Sequence, residues 1–320
     1  MKKAVIITGQ LRTNELVKWF HKNSFFDDNC DIFLSIDTDN EIQLLYKNDT
    51  DKTSNNLVEE TIKFYKPKKY YIGNIDVDKK IIYEDYKDLC NKPLEYYDIE
   101  NLNDQKQKEI NLFLIDQEEQ YMKKNINIKN LSFNHDNIKK GCLTENSING
   151  LFRQFYFVKK GYELLSEYKK ENNINYDIVI RIRFDHILLT TDFINNELNK
   201  FTIKDNNIAF CKDNLNLVQN IKKLDLDFDK ISNNTINVMG AGVYKKYVYV
   251  NDFFWTHGDD LIEKMLKFYE QLHDIISFSM NNFFPIYGAG IEHYFAIFLF
   301  KNNIDISQTI MNKCNIIRKI

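Results

Sequence analysis

An α/β fold organised on a mainly parallel sheet is what the sequence predicts, and three observations predict it. Short apolar runs alternate with segments of helical periodicity along the chain. The first such pair is joined by a glycine turn, the opening of a βαβ unit. The polar clusters at 9–13, 37–39 and 181–185 all fall at the carboxyl ends of predicted strands, where ligands sit in sheets of this kind. At 320 residues the chain can bury a substantial core in one large domain.

Residues 4–7 form a continuous apolar run closed by Thr8 and Gly9, a first strand. Residues 14–26 then set Leu16, Trp19 and Phe20 on one helical stripe. The second strand is 31–36, ending in Asp37-Thr38-Asp39. Residues 57–65 read as a helix stopped by Pro67, and 69–72 as a third strand ended by Gly73. From 74 to 140 the chain is denser in Asp, Asn, Lys and Tyr, with one helix expected at 105–124, and reads as a surface-lying insertion. The clearest helix is 144–170, with Leu151, Phe155, Val158, Tyr162, Leu165 and Tyr168 at helical spacing and Thr144 as a candidate N-cap. It leads into a strand at 176–185. Beyond lie an expected strand at 208–211, an acidic loop at 224–229, a strand at 247–254 and a helix at 261–275. An aromatic, glycine-containing loop at 283–290 and a last buried helix at 291–300 complete the series.

The strand Tyr176-Asp177-Ile178-Val179-Ile180-Arg181-Ile182-Arg183-Phe184-Asp185 is the most informative stretch. Alternate residues share a face, so Arg181, Arg183 and Asp185 project together while Ile178, Ile180 and Ile182 face the other way. Two guanidiniums can hold a diphosphate through paired hydrogen bonds, and one carboxylate can hold a hard divalent cation bridging the same phosphates. The same residues also fit an Arg–Asp ion pair that closes a strand end.

Other clusters add to this edge. Gly9-Gln10-Leu11-Arg12-Thr13 has neither the GxGxxG nor the Walker pattern, which argues against a dinucleotide fold and a P-loop ATPase. Its single glycine still lets backbone amides approach a ligand, and Arg12 at a helix start can meet a phosphate, although a plain strand-to-helix turn explains the run equally well. Asp37 and Asp39 can accept hydrogen bonds from a ribose or a base, or simply favour a turn. Glu292, following Gly288-Ala289-Gly290 at a helix start, is placed to accept a proton from a hydroxyl, or to complement the helix dipole. Asp259 and Asp260 begin the helix before it and can cap it.

Net charge is −3 with no sustained basic block, which excludes a nucleic-acid footprint. The five cysteines are dispersed and lack CxxC spacing, arguing against a disulfide framework or a zinc cluster and for a reducing, cytoplasmic setting. The N-terminal apolar run is too short for a signal-peptide core, and no stretch reaches the roughly 18 apolar residues that cross a bilayer.

Taken in order, residues 4–13, the long helix ending in 176–185, Asn251-Asp252-Phe253-Phe254 through Gly258, and Gly290-Ile291-Glu292-His293 resemble a group of GT-A-like glycosyltransferases of bacterial surface-polysaccharide clusters and large DNA viruses. The resemblance spans most of the chain except 74–140. It implies one Rossmann-type domain over 1–320, with 1–73 and 141–211 as nucleotide-binding core, 74–140 as insertion and 212–320 on the acceptor side. It implies transfer of a sugar from a nucleoside-diphosphate sugar to an acceptor hydroxyl in glycan or surface-polysaccharide synthesis, in the cytoplasm, a host's if the chain is viral. Thr8, Gly9, Arg12, Asp37, Arg181 and Arg183 would bind the nucleotide sugar, and Glu292 or Asp259 would be the acceptor base. Where GT-A enzymes carry Asp-x-Asp for a metal, this chain has Arg183-Phe184-Asp185. Asp185 matches the metal-binding carboxylate, holding Mn²⁺ or Mg²⁺, while Arg183 departs from the pattern and can itself neutralise the diphosphate, making the enzyme metal-independent. Two competing classes stay open: a nucleotidyltransferase, which would carry a glycine-rich loop with a lysine after the first strand, and a non-catalytic sugar- or protein-binding module.

Overall fold

The computed structural model describes residues 1–38, 55–90, 145–204, 207–209, 211–221, 232–239, 241–244, 247–250, 252, 254–282, 291–308 and 314–316. Asp39, Thr144, the helix expected at 105–124, the acidic loop 224–229 and the aromatic loop 283–290 lie outside them. The chain is an α/β protein built on a seven-stranded, mostly parallel sheet flanked by helices. Its strands are β1 (Lys3–Gln10), β2 (Cys30–Asp37), β3 (Lys69–Ile72), β4 (Ile178–Arg183), β5 (Thr235–Val238), β6 (Phe254–His257) and β7 (Asp305–Gln308). They lie in the order β7-β5-β6-β4-β1-β2-β3. Pairing is parallel for β1 with β2 and β4, β2 with β3, and β5 with β7, whereas β6 is antiparallel to both its neighbours.

The helices are α1 (Asn14–Phe25), α2 (Asn55–Tyr65), α3 (Ile75–Cys90), α4 (Glu145–Asn172), α5 (Ile262–Asn282) and α6 (Ile291–Lys301). Strand alternation divides the core. Ala4, Ile6, Phe33, Val179 and Trp255 face α3, α4, α5 and α6, while Val5, Ile7, Leu34, Ile180 and Ile182 face α1 and α2. Each fully buried Ile, Leu or Phe side chain contributes about 1.5–3 kcal/mol of burial free energy before entropy is counted.

The long helix α4 crosses the sheet over β1. Ile148, Leu151, Phe152, Phe155, Tyr162 and Leu165 form its buried stripe. Gly161 permits the crossing: a Cβ there would lie 2.4 Å from Ile6 Cγ2. Asn173 ends the helix at φ 50°, and the Ile174 amide closes back on the Lys169 carbonyl at 3.1 Å, the six-to-one bond of a left-handed helix stop.

Three expectations need correction. Residues 75–90 are a helix whose Ile82, Tyr86 and Leu89 enter the main core, so at least this part of the 74–140 insertion is not surface-lying. The sheet strand expected at 247–254 is Phe254–His257, while Tyr247–Val250 pairs with Ala241–Tyr244 in a separate hairpin. In the region expected as a strand at 208–211, Asn207–Ile208 pairs with Ile203–Lys204, Ala209 forms a bridge, and Cys211 precedes a short helix. Apolar runs of this length do not reveal which residues the tertiary contacts will align. Among the described residues no helix is long and apolar enough to cross a membrane.

Candidate functional site

Three parallel strands bring their carboxyl ends together. Register sets Thr8 between Arg183 and Ser35, and Gln10 beside Asp37. A cleft at this edge is lined by Thr8, Gly9, Gln10 and Arg12 from β1 and its turn, Asp37 from β2, and Arg181, Arg183 and Asp185 from β4 and the turn after it. Its remaining wall is α4, through Gly150, Arg153, Gln154 and Phe157. The residues expected to bind a nucleotide sugar, and Asp185 with them, are thus brought into one cleft. Gly9 sits at φ 108° with open space around the position of a side chain, so the backbone conformation, not crowding, requires glycine there.

The two arginines of β4 differ in depth. Arg181 is 0% exposed, donates to Thr8 Oγ1 at 3.1 Å and to the Asp252 carbonyl, and stacks 4.4 Å from the Trp255 ring centroid. Burial lowers its pKa to about 10, so it stays charged at neutral pH. The expected pair of gripping guanidiniums is therefore corrected: Arg181 is wholly buried beneath the Trp255 ring, and Arg183 is the more accessible one, with 23% of its side chain open.

Arg183 forms a bidentate pair with Asp185, Nε to Oδ1 and Nη2 to Oδ2, each 2.9 Å. His186 Nδ1 also donates to Asp185 Oδ1 at 2.7 Å. Burial alone would raise the Asp185 carboxyl, but Arg183 and His186 outweigh it and hold it well below the usual carboxylate range. His186 is itself buried, its pKa lowered by that burial, and its backbone carbonyl accepts from His21 Nε2 at 2.8 Å. Both Asp185 oxygens are thus engaged, and among the described residues no group of three His, Cys, Asp or Glu side chains is arranged to hold an ion. In this arrangement the donor set around Asp185 does not fit a divalent cation unless Arg183 leaves it.

Asp37 does not stand open to a ribose. Arg153 Nε donates to its Oδ2 at 2.6 Å and Nη2 to its Oδ1, and both side chains are almost fully buried. Arg12 Nε donates to Gln10 Oε1 at 2.6 Å on the rim. Gln154 links two further groups: its Oε1 accepts from Arg183 Nη1 at 3.4 Å, and its Nε2 donates to Asp252 Oδ2. Asp252 is buried, with Oδ1 lacking a hydrogen-bond partner among the described residues.

The two base candidates part company. Glu292 starts α6; burial and then the Asp252 charge raise its carboxyl above the usual range, with Arg183 opposing. Asp259 is carried to the opposite edge of the sheet because β6 runs antiparallel: His257 pairs with Val179, at the start of β4. There Asp259 pairs with Lys169 and accepts from the Tyr176 amide at 3.2 Å, so its assignment to the catalytic set is corrected. Sequence reasoning missed Arg153, Gln154 and Asp252. The signal for the first two was a pair of polar residues inside the otherwise apolar run 151–158 of a buried helix.

No protein-family model and no curated protein matches the chain. Among solved structures, the ligand-free glycosyltransferase domain from the YGT toxin is similar over 98% of this chain and 80% of that one, at 10% identity and a TM-score of 0.29. At that level of likeness the functional reading rests on the chemistry of the cleft.

Proposed function

We propose that the chain is a nucleotide-sugar-dependent glycosyltransferase acting on a hydroxyl acceptor, in glycan or surface-polysaccharide synthesis. The observation that carries this reading is the charge of the cleft: four arginines, Arg12, Arg153, Arg181 and Arg183, against two aspartates, Asp37 and Asp185, at the carboxyl edge of a mainly parallel sheet. Such a lining suits a diphosphate. The turn after β1, residues 9–13, lacks the glycine-rich loop and lysine that nucleotidyl transfer would use.

In this reading the bond from the sugar's anomeric carbon to the diphosphate oxygen breaks as a bond to the acceptor oxygen forms. Arg183, with Arg12 at the rim, stabilises the charge gathering on the departing diphosphate. The acceptor's proton passes to Glu292, whose raised carboxyl suits a general base. Because Asp185 is occupied by Arg183 and His186, we assign the counter-charge to arginine and propose a metal-independent reaction.

A panel of sugar nucleotides, assayed for hydrolysis and transfer with the wild-type protein and Glu292→Gln, tests the reading. The variant is expected to lose about 10²–10³-fold in kcat with a small change in donor KM. The wild-type rate should fall as pH drops through the raised Glu292 carboxyl, since a protonated carboxyl cannot accept the proton, and the variant should lack that limb. Consumption of no donor by the wild type, or an unaltered profile in the variant, counts against the assignment.

A further inference from the structure

Arg183 and Asp252 carry opposite charges on neighbouring strand ends, yet the contact between them passes through the Gln154 amide. A guanidinium offers only donors and an ionised carboxylate only acceptors, so the amide fits between them in one orientation, oxygen toward Arg183 and nitrogen toward Asp252. Rotated by a half turn, both hydrogen bonds would become repulsions. Asp185 holds the Nε and Nη2 side of Arg183, and Gln154 holds Nη1, so the guanidinium is fixed from two directions. Asp252 is fixed in turn, since its carbonyl accepts from the buried Arg181. Gln154 lies on α4, which Gly161 brings close over β1, and it also lines the cleft.

We propose that Gln154 is a positioning residue that aims Arg183 at the diphosphate of the donor, by joining that guanidinium to the buried Asp252. The inference rests on the glycosyltransferase reading and adds to it a residue in whose place only a group that accepts on one side and donates on the other will serve. A neutral glutamic acid is such a group: its carbonyl can accept from Arg183 and its O–H can donate to Asp252. A glutamate cannot, because it faces the Asp252 charge with a charge of its own and neutralises Arg183. Methionine fills the space and makes neither bond.

Binding of inorganic pyrophosphate and of uridine diphosphate is measured by calorimetry for wild type, Gln154→Met and Gln154→Glu, from pH 8 downward to about pH 4, so that the scan passes through the range in which carboxylates protonate. Each variant is expressed as a ratio to wild type at the same pH, which removes the titration of the probe and of Asp185, Asp252, Glu292, Asp37 and the arginines that all three proteins share. Gln154→Met is expected to bind about tenfold more weakly throughout, the loss typical of one hydrogen bond to a charged group. Gln154→Glu is expected to bind at least as weakly at pH 8 and to regain affinity as the introduced carboxyl protonates, a recovery that filling space alone would not produce. Thermal unfolding of each variant reports the fold separately. Wild-type binding with ratios near one for both variants, or ratios that fall together without acid recovery, overturns the role of Gln154 and leaves the transferase reading standing. Failure of the wild type to bind either probe overturns both.

Discussion

Arg183→Ala is expected to lower turnover of the sugar-nucleotide donor by about 10²–10³-fold, the loss found when one preorganised group facing developing charge is removed. The guanidinium is the more accessible member of the β4 pair and lines the cleft where a diphosphate would lie. Arg183→Lys keeps the charge but not the fork, and should recover only part of the loss. Steady-state kinetics of the three proteins check the order. A second effect follows from Asp185. Its depressed carboxyl contributes stability that is present above its unfolded pKa and lost as pH falls through its lower folded value. Without Arg183 the folded value moves up toward the unfolded one, so the acid-side loss of stability should be smaller in the alanine variant and complete at higher pH.

The largest effect on stability is expected from Arg153→Met. The Arg153–Asp37 pair is bidentate and almost fully buried at the end of β2, so removing the cation leaves a carboxylate in the core without its compensating charge. Breaking a buried pair on one side costs about 3–5 kcal/mol, whereas replacing both partners costs far less. Urea unfolding should therefore show Arg153→Met as strongly destabilised and the double variant Arg153→Met/Asp37→Asn as partly restored. Near-additive losses in the double variant would mean that the pair contributes little as a pair.

Much of the fold was legible in the sequence because its elements are locally consistent. β1 to β3 and the helices α1, α2 and α4 follow from apolar periodicity punctuated by Gly9, Pro67 and Gly73. The meeting of Thr8, Asp37 and Arg183 was legible for the same reason: parallel strands put their carboxyl ends on one edge. The direction of β6 was not. Phe254–His257 reads alike whether parallel or antiparallel, and that direction alone separates Asp259 from the cleft and brings Asp252 to it. Depth was also hidden, since a period of two sets Arg181 and Arg183 on one face but cannot say that Trp255 closes over the first. Arg153 and Gln154 belong to a helix read for its apolar stripe, and their partners lie 116 and 98 residues away.

Titration of the wild-type protein with nucleoside diphosphates and their sugar conjugates, with and without a chelator, decides whether arginine alone carries the counter-charge of a bound diphosphate. At least one nucleoside diphosphate is expected to bind in excess chelator, Arg183→Ala to weaken it by tenfold or more, about 1.4 kcal/mol, and the matching sugar conjugate to be consumed. Binding that requires Mn²⁺ or Mg²⁺ would contradict the assignment of the counter-charge to Arg183, and the absence of binding by any nucleoside diphosphate would contradict the transferase itself.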